Sequence, residues 1–174
     1  MSIILKLFIN ILLLQAGPQD VPSSRFLLQV SLLLYFLAGI LVSLTNFPPL
    51  PSVGISVVDT FLLVSLVWIT LRVWRFEHRI AQTLTAVLGA LGLLTVVALP
   101  LNAWYAALEH ADQNIDQLPF LVMLGLLVWS LTVLSHILRH ALDTSPTLAT
   151  GLSLFYLVLS FTLTSILFVP TDME

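Results

Sequence analysis

Long apolar stretches follow one another along the chain, separated by short segments rich in proline, serine and charged residues. Each stretch is close to or above about 20 residues, the length with which an α-helix crosses a hydrocarbon core about 30 Å thick. Polar and apolar residues do not alternate within these stretches, which disfavours a transmembrane β-barrel. The pattern therefore predicts an all-α fold, a polytopic transmembrane helix bundle of five spans preceded by a short helix.

The boundaries of the predicted spans come from proline and turn-forming residues. Prolines at 48, 49 and 51 end the first span, because proline cannot donate a backbone hydrogen bond and biases its neighbour away from helix. Pro100 is expected to kink the overlong third span, and Ser145 with Pro146 starts the fifth. The predicted spans, all within a single membrane domain of residues 1–174, are residues 25–45, 54–73, 80–108, 119–142 and 147–169.

The opening segment, residues 2–16, is too short to cross a membrane comfortably. Ser2, Lys6 and Asn10 recur at four-residue spacing and give the predicted helix one narrow polar stripe. Gly17 is expected to cap its C-terminus. We therefore predict an interfacial amphipathic helix in the cytoplasmic leaflet.

The basic residues set the predicted orientation, because cytoplasmic loops collect Lys and Arg. With five spans and a cytoplasmic N-terminus, every basic residue falls on the cytoplasmic side: Lys6, Arg25, Arg72, Arg75, Arg79 and Arg139. All of these except Arg139 are candidates for contact with lipid headgroups or a protein partner. The predicted location is the bacterial inner membrane, with the C-terminus periplasmic or external.

Composition narrows the classes of function. The chain is 59% hydrophobic and 9% charged, with a mean hydropathy of +1.06, which leaves no water-soluble domain. The net charge is −3 and the six basic residues form no run, so no nucleic-acid partner is expected. The absence of cysteine excludes disulfides and thiolate metal sites. No cofactor and no metal are predicted.

Asp59 is the acidic residue that lies well inside a predicted span, about five residues below the outer end of the second helix. An ionised carboxylate at such depth needs a partner. Counted from the same surface, Ser43, Asn102 and Ser165, with Thr164, fall at a similar level and predict a polar layer. Two interpretations stay open. One is a proton or cation site, and the other is a protonated or hydrogen-bonded aspartate that fixes helix packing or helps to cap the start of its helix.

A second polar face lies at the cytoplasmic end of the fourth span, where His136, Arg139 and His140 recur at helical spacing, and Gln82 could face it. Two histidines four residues apart can share a metal, but a third ligand is needed. Lipid headgroups, acidic residues of a partner, or simple topological anchoring fit this face better.

Small residues along the third span predict a helix-packing seam, either internal to the bundle or facing a partner. The residues concerned are Ala81, Thr85, Gly89 and Gly92, with Pro100 further along as the kink position.

The approach to the first span, Gly17-Pro18-Gln19-Asp20-Val21-Pro22, together with five closely spaced helices and an external C-terminus, resembles small bacterial inner-membrane proteins of the Yip1-like kind. This resemblance implies a role in organising membranes and partners, and it implies no catalytic residue.

The chain contains no Gly-x-Ser-x-Gly elbow, Walker loop, dinucleotide fingerprint or His-Glu-x-x-His helix. The leading hypothesis is therefore a non-enzymatic scaffold, assembly factor or accessory subunit that binds membrane lipids and either a partner membrane protein or a second copy of itself. One alternative is a small transporter or channel that uses Asp59 as its coupling residue. Another is a membrane enzyme with a metal at the His136 and His140 face.

Overall fold

The computed structural model describes residues 3–110 and 117–168. Five of its helices are long and apolar enough to cross a membrane, and a shorter apolar helix precedes them. The predicted all-α bundle of five spans with a short N-terminal helix is confirmed. The helices are α1 Ile3–Leu12, α2 Arg25–Ser43, α3 Pro49–Val73, α4 Ile80–His110, α5 Gln117–Leu142 and α6 Pro146–Phe168.

The second span begins five residues earlier than predicted, at Pro49. Proline is tolerated in a first helical turn because backbone N–H groups there have no partner within the helix. The hydroxyl of Ser52 donates to the carbonyl oxygens of Phe47 at 3.1 Å and Pro48 at 2.9 Å, which ties the start of α3 to the preceding loop. The three prolines therefore start α3, in addition to ending α2.

The other span boundaries agree with the prediction to within about two residues, the usual scatter of helix ends. The opening helix, predicted over residues 2–16, ends four residues early at Leu12, because Leu14 takes a left-handed conformation. α4 continues as a helix through Pro100, and the kink expected there stays a prediction. Ser2 and residue 169, which belonged to predicted elements, lie outside the described residues.

α4 is the central helix of the bundle. Half of its apolar span is buried, whereas the other four spans are 11–22% buried. Gly89 lies under the ring of Phe8 in α1, and Gly92 lies against the backbone of Tyr35 in α2. The predicted seam therefore receives two helices of the same chain. Ala81, the first residue of the predicted seam, is exposed.

α1 packs its apolar side into the bundle and ends in a Schellman motif. Phe8 and Ile11 are buried, whereas Lys6 is exposed. Leu14 takes a left-handed conformation with φ 61°. The N–H of Gln15 donates to the carbonyl of Asn10 at 2.8 Å, and that of Leu14 to Ile11 at 2.9 Å.

The predicted glycine cap of α1 is therefore wrong, because Gly17 has φ −120° and lies three residues beyond the capping position. The N–H of Gly17 instead donates to the Asp20 carboxylate at 2.8 Å. This contact belongs to the short 3-10 helix Pro18–Asp20 that leads into α2.

α3 and α5 end in the same way as α1. Arg75 has φ 62° and Asp143 has φ 48°. The N–H of Phe76 donates to Leu71 at 2.8 Å, and that of Thr144 to Arg139 at 3.2 Å. In each case the left-handed residue lets the next N–H satisfy a carbonyl in the last helical turn.

These turns and the starts of α2 and α4 lie together at one end of the bundle. The guanidinium of Arg79 donates to Asp143 at 2.7 Å, and the side-chain amide of Gln82 donates to the carbonyl of Val21 at 3.0 Å. We call this the basic end, since it gathers Arg25, Arg72, Arg75, Arg79 and Arg139.

Candidate intramembrane site at Asp59

Asp59 joins three helices near the middle of the bundle. It lies ten residues after the start of α3 at Pro49, about 15 Å along the helix axis. Tyr35 of α2 donates its hydroxyl to Oδ2 at 2.5 Å. Tyr156 and Ser160 of α6 donate theirs to Oδ1, each at 2.6 Å.

A fourth oxygen contact, between the hydroxyls of Tyr35 and Tyr156, measures 3.1 Å. All three contacts to Asp59 are shorter than the contact between the two tyrosines. The Asp59 carboxyl group is therefore the common acceptor for one hydroxyl of α2 and two of α6.

Within the described residues, no Lys, Arg or His forms an ion pair with Asp59. The two ion pairs found there, Arg72 with Glu77 and Arg79 with Asp143, both lie at the basic end. The partners of Asp59 among the described residues are therefore hydroxyl groups. An ionised carboxylate inside a span is costly without a countercharge, so ionisation of this group would favour a cation nearby.

Asp59 also borders a cavity of about 420 Å³. At roughly 30 Å³ per molecule, this volume corresponds to about a dozen waters or to a small organic molecule. Its walls come mainly from α4, α5 and α6. Polar groups other than the Asp59 cluster are Thr95, Asn102, Ser130 and Thr164, and the apolar walls include Leu91, Leu94, Ala98, Met123, Leu126, Leu127, Leu157 and Phe161. The cavity is thus largely apolar, with a hydrogen-bonded carboxylate on one wall.

The predicted polar layer is only partly formed. Asn102 and Thr164 do line the cavity with Asp59, and the amide of Asn102 donates to Ala98 of its own helix at 3.1 Å. Ser43 and Ser165 are half-buried and are not among the cavity-lining residues of the described chain. The early start of α3 explains the difference, because Asp59 lies deeper than predicted and meets α2 at Tyr35.

Sequence reasoning missed all three hydrogen-bond donors to Asp59. Tyr35 and Tyr156 each lie near the centre of an apolar span, far from the interfaces where membrane tyrosines usually lie. A buried tyrosine hydroxyl needs a partner. The presence of two tyrosines and one aspartate in the middle of spans could therefore have predicted their contact. Ser160 offered no such signal, since serines are frequent throughout the chain.

The second predicted polar face holds the N-terminal segment in place. His136 makes a ring-nitrogen hydrogen bond of 3.1 Å with the carbonyl of Ala16. Its ring lies 4.5 Å from that of His140, and Arg139 is exposed. Across residues 3–110 and 117–168, no three His, Asp or Glu side chains come close enough to share a metal ion.

The predicted lipid or partner contacts lie on the surface of the molecule. Lys6 and Arg25 are exposed. Arg72 lies 3.8 Å from Glu77 and covers the Trp68 ring at 4.8 Å, and Arg75 caps α3. Arg79 differs from them, since it bridges to the turn between α5 and α6.

Comparison with protein-family models, with curated proteins and with solved structures found no match. The resemblance to Yip1-like proteins therefore stays a prediction.

Proposed function

We propose that this chain is a non-enzymatic multi-pass membrane protein that binds a cation or protonated molecule at Asp59, as a small transporter or channel would. The observation that supports this best is a carboxyl group on the wall of a cavity that has three hydroxyl partners and, among the described residues, no basic one. Oδ2 accepts one hydrogen bond from the protein, whereas Oδ1 accepts two. A carboxylate oxygen can accept two, so Oδ2 can accept one more.

The test is flux and binding by protein reconstituted into liposomes. Proton flux driven by a pH gradient is followed with a pH-sensitive dye, and tetraphenylphosphonium binding is measured on the purified protein. We expect Asp59→Asn to abolish whichever signal the native protein gives, because the neutral amide no longer attracts a cation. Ser130→Ala is the matched control, since Ser130 lines the cavity and donates to Leu127 of its own helix at 2.8 Å.

A native protein with neither proton flux nor tetraphenylphosphonium binding would contradict the proposal. So would an Asp59→Asn variant that keeps the full signal and loses only thermal stability. That second result would assign Asp59 to helix packing.

A second candidate function, a scaffold or accessory subunit, is favoured by an apolar groove of about 580 Å³ on the outer face of α2 and α3. Gln29 is exposed on this groove, and the buried hydroxyl of Thr60 has no hydrogen-bond partner among the described residues. Lipid tails offer no hydrogen bonds, so a polar residue of another transmembrane helix would satisfy these groups. That helix would belong to a partner protein or to a second copy of this chain.

Crosslinking in membranes followed by purification in mild detergent tests this candidate. We expect a stable complex that Gln29→Leu combined with Thr60→Val weakens, while Gln19→Leu at the basic end leaves it intact. Recovery of a monomer alone from native membranes would refute the scaffold function.

We further propose that the basic end faces the cytoplasm of a bacterial inner membrane, because every basic residue of the described spans and turns lies there or in α1. Reporter fusions that fluoresce only in the cytoplasm should be active at the N-terminus and inactive at the C-terminus. The opposite pattern would reverse the assigned topology.

A further inference from the structure

A second cavity, of about 270 Å³, lies at the basic end and is separate from the Asp59 site. It lies between the loop after α1, the turn that leads into α4 with the start of that helix, and the end of α5 with the turn that follows it. Its lining residues are Pro18, Gln19, His78, Arg79, Gln82, Thr83, His140, Ala141 and Asp143. Nitrogen donors dominate this lining, which is typical of an anion site.

Thr83 carries a buried hydroxyl that has no partner within the described residues. Helical threonines commonly donate to the carbonyl four residues earlier, as Thr85 does to Ala81 at 2.7 Å and Thr95 to Leu91 at 2.9 Å. Thr83 does not form this bond. Burying an unpaired hydroxyl costs about 1–3 kcal/mol, and an acceptor atom in the cavity would remove that cost.

Arg79 is held in position at the same cavity. One guanidinium nitrogen, Nη1, donates to Asp143 at 2.7 Å and to the carbonyl of Ala141 at 3.2 Å. The guanidinium also lies 4.6 Å from the centre of the Phe76 ring. A guanidinium has five N–H donors, so those on Nε and Nη2 stay available. Its side chain is 34% exposed, which leaves it accessible to a ligand.

We propose that this cavity binds a phosphate group, such as the phosphodiester of a phospholipid headgroup. Arg79 supplies a fixed charge, His78 and His140 supply ring nitrogens, and Thr83 supplies the hydroxyl donor. The cavity lies beside the helix ends that carry the basic residues, the level at which lipid phosphates lie. Asp143, which lines the same cavity and accepts a hydrogen bond from Arg79, offers an acceptor for an ammonium group such as that of phosphatidylethanolamine.

Native mass spectrometry of the full-length protein in detergent tests this site. Phosphatidylethanolamine, phosphatidylglycerol and inorganic phosphate are titrated separately. We expect a retained lipid whose affinity falls about tenfold in Arg79→Gln, the size expected for a lost charge-assisted hydrogen bond. Thr83→Val, which keeps the side-chain shape, should weaken binding by a smaller factor without loss of folding. Arg72→Gln, at the same end but outside the cavity, is the control.

Retention of inorganic phosphate alone, weakened by the same two variants, would support the phosphate site and assign it to a soluble phosphate. Equal retention by the native protein, Thr83→Val and Arg79→Gln would overturn the proposal. Failure of the native protein to retain any of the three ligands would overturn it as well. Neither result bears on Asp59, which lines a different cavity.

Discussion

Replacing Gly92 by alanine tests the close approach of α2 and α4. A Cβ at position 92 would lie 3.2 Å from the backbone N and Cα of Tyr35 and 3.3 Å from Cγ of Leu34. Because backbone atoms of α2 cannot rotate away, the whole helix has to retreat by a few tenths of an ångström. Overpacking of this kind costs about 1–3 kcal/mol, whereas alanine gains about 1 kcal/mol over glycine in a helix.

Gly125→Ala is the matched control, since a Cβ there meets no atom within 4 Å. Gly125→Ala should gain only the higher helix propensity of alanine. Both variants share this gain, so their free energies of unfolding should differ by the overpacking cost alone, about 1–3 kcal/mol. Thermal unfolding in one detergent, followed by tryptophan fluorescence, measures the difference. If Gly92→Ala were as stable as Gly125→Ala, the inferred contact with Tyr35 would be refuted.

Three further variants test other contacts by the same assay. Tyr156→Phe removes a donor to Asp59 and should lower the free energy of unfolding by about 1–2 kcal/mol. Tyr105→Phe, the control, should lower it less, and equal losses would contradict the inferred cluster. Arg75→Gly should raise stability by about 1 kcal/mol, because glycine accepts φ 62° without strain, and a loss would argue against the Schellman motif. Phe8→Ala should cost about 3 kcal/mol by emptying the space over Gly89, and a cost near zero would show that α1 is not docked.

The helices could be predicted from the sequence because span length and apolar runs are local properties. The start of α3 could not, since a run of prolines can either end one helix or begin the next. Pro49 and Pro51 begin α3 here, with Ser52 tying the first turn to the loop. The C-terminal cap of α1 could not be predicted either, because Leu14 takes a left-handed conformation that glycine usually takes.

The candidate site was predictable only in its central residue. Asp59 stands out as an acid within an apolar run, so its need for partners followed from the sequence. The identity of those partners depends on how α2, α3 and α6 are rotated and shifted against one another. That packing is set by non-local contacts, such as the hydrogen bond of 2.7 Å from Ser56 to the carbonyl of Phe36.

The three-helix junction at Asp59 is completed only by the last helix of the bundle. Two of its three donors lie in α6, and Tyr156 follows Asp59 by 97 residues. Helices leave the ribosome in chain order, so α3 enters the membrane with Tyr35 as its only available donor until the final helix is synthesised. A chain that lacks α6 is therefore expected to leave Asp59 with one of its three hydroxyl donors and to hold α3 less firmly against α2.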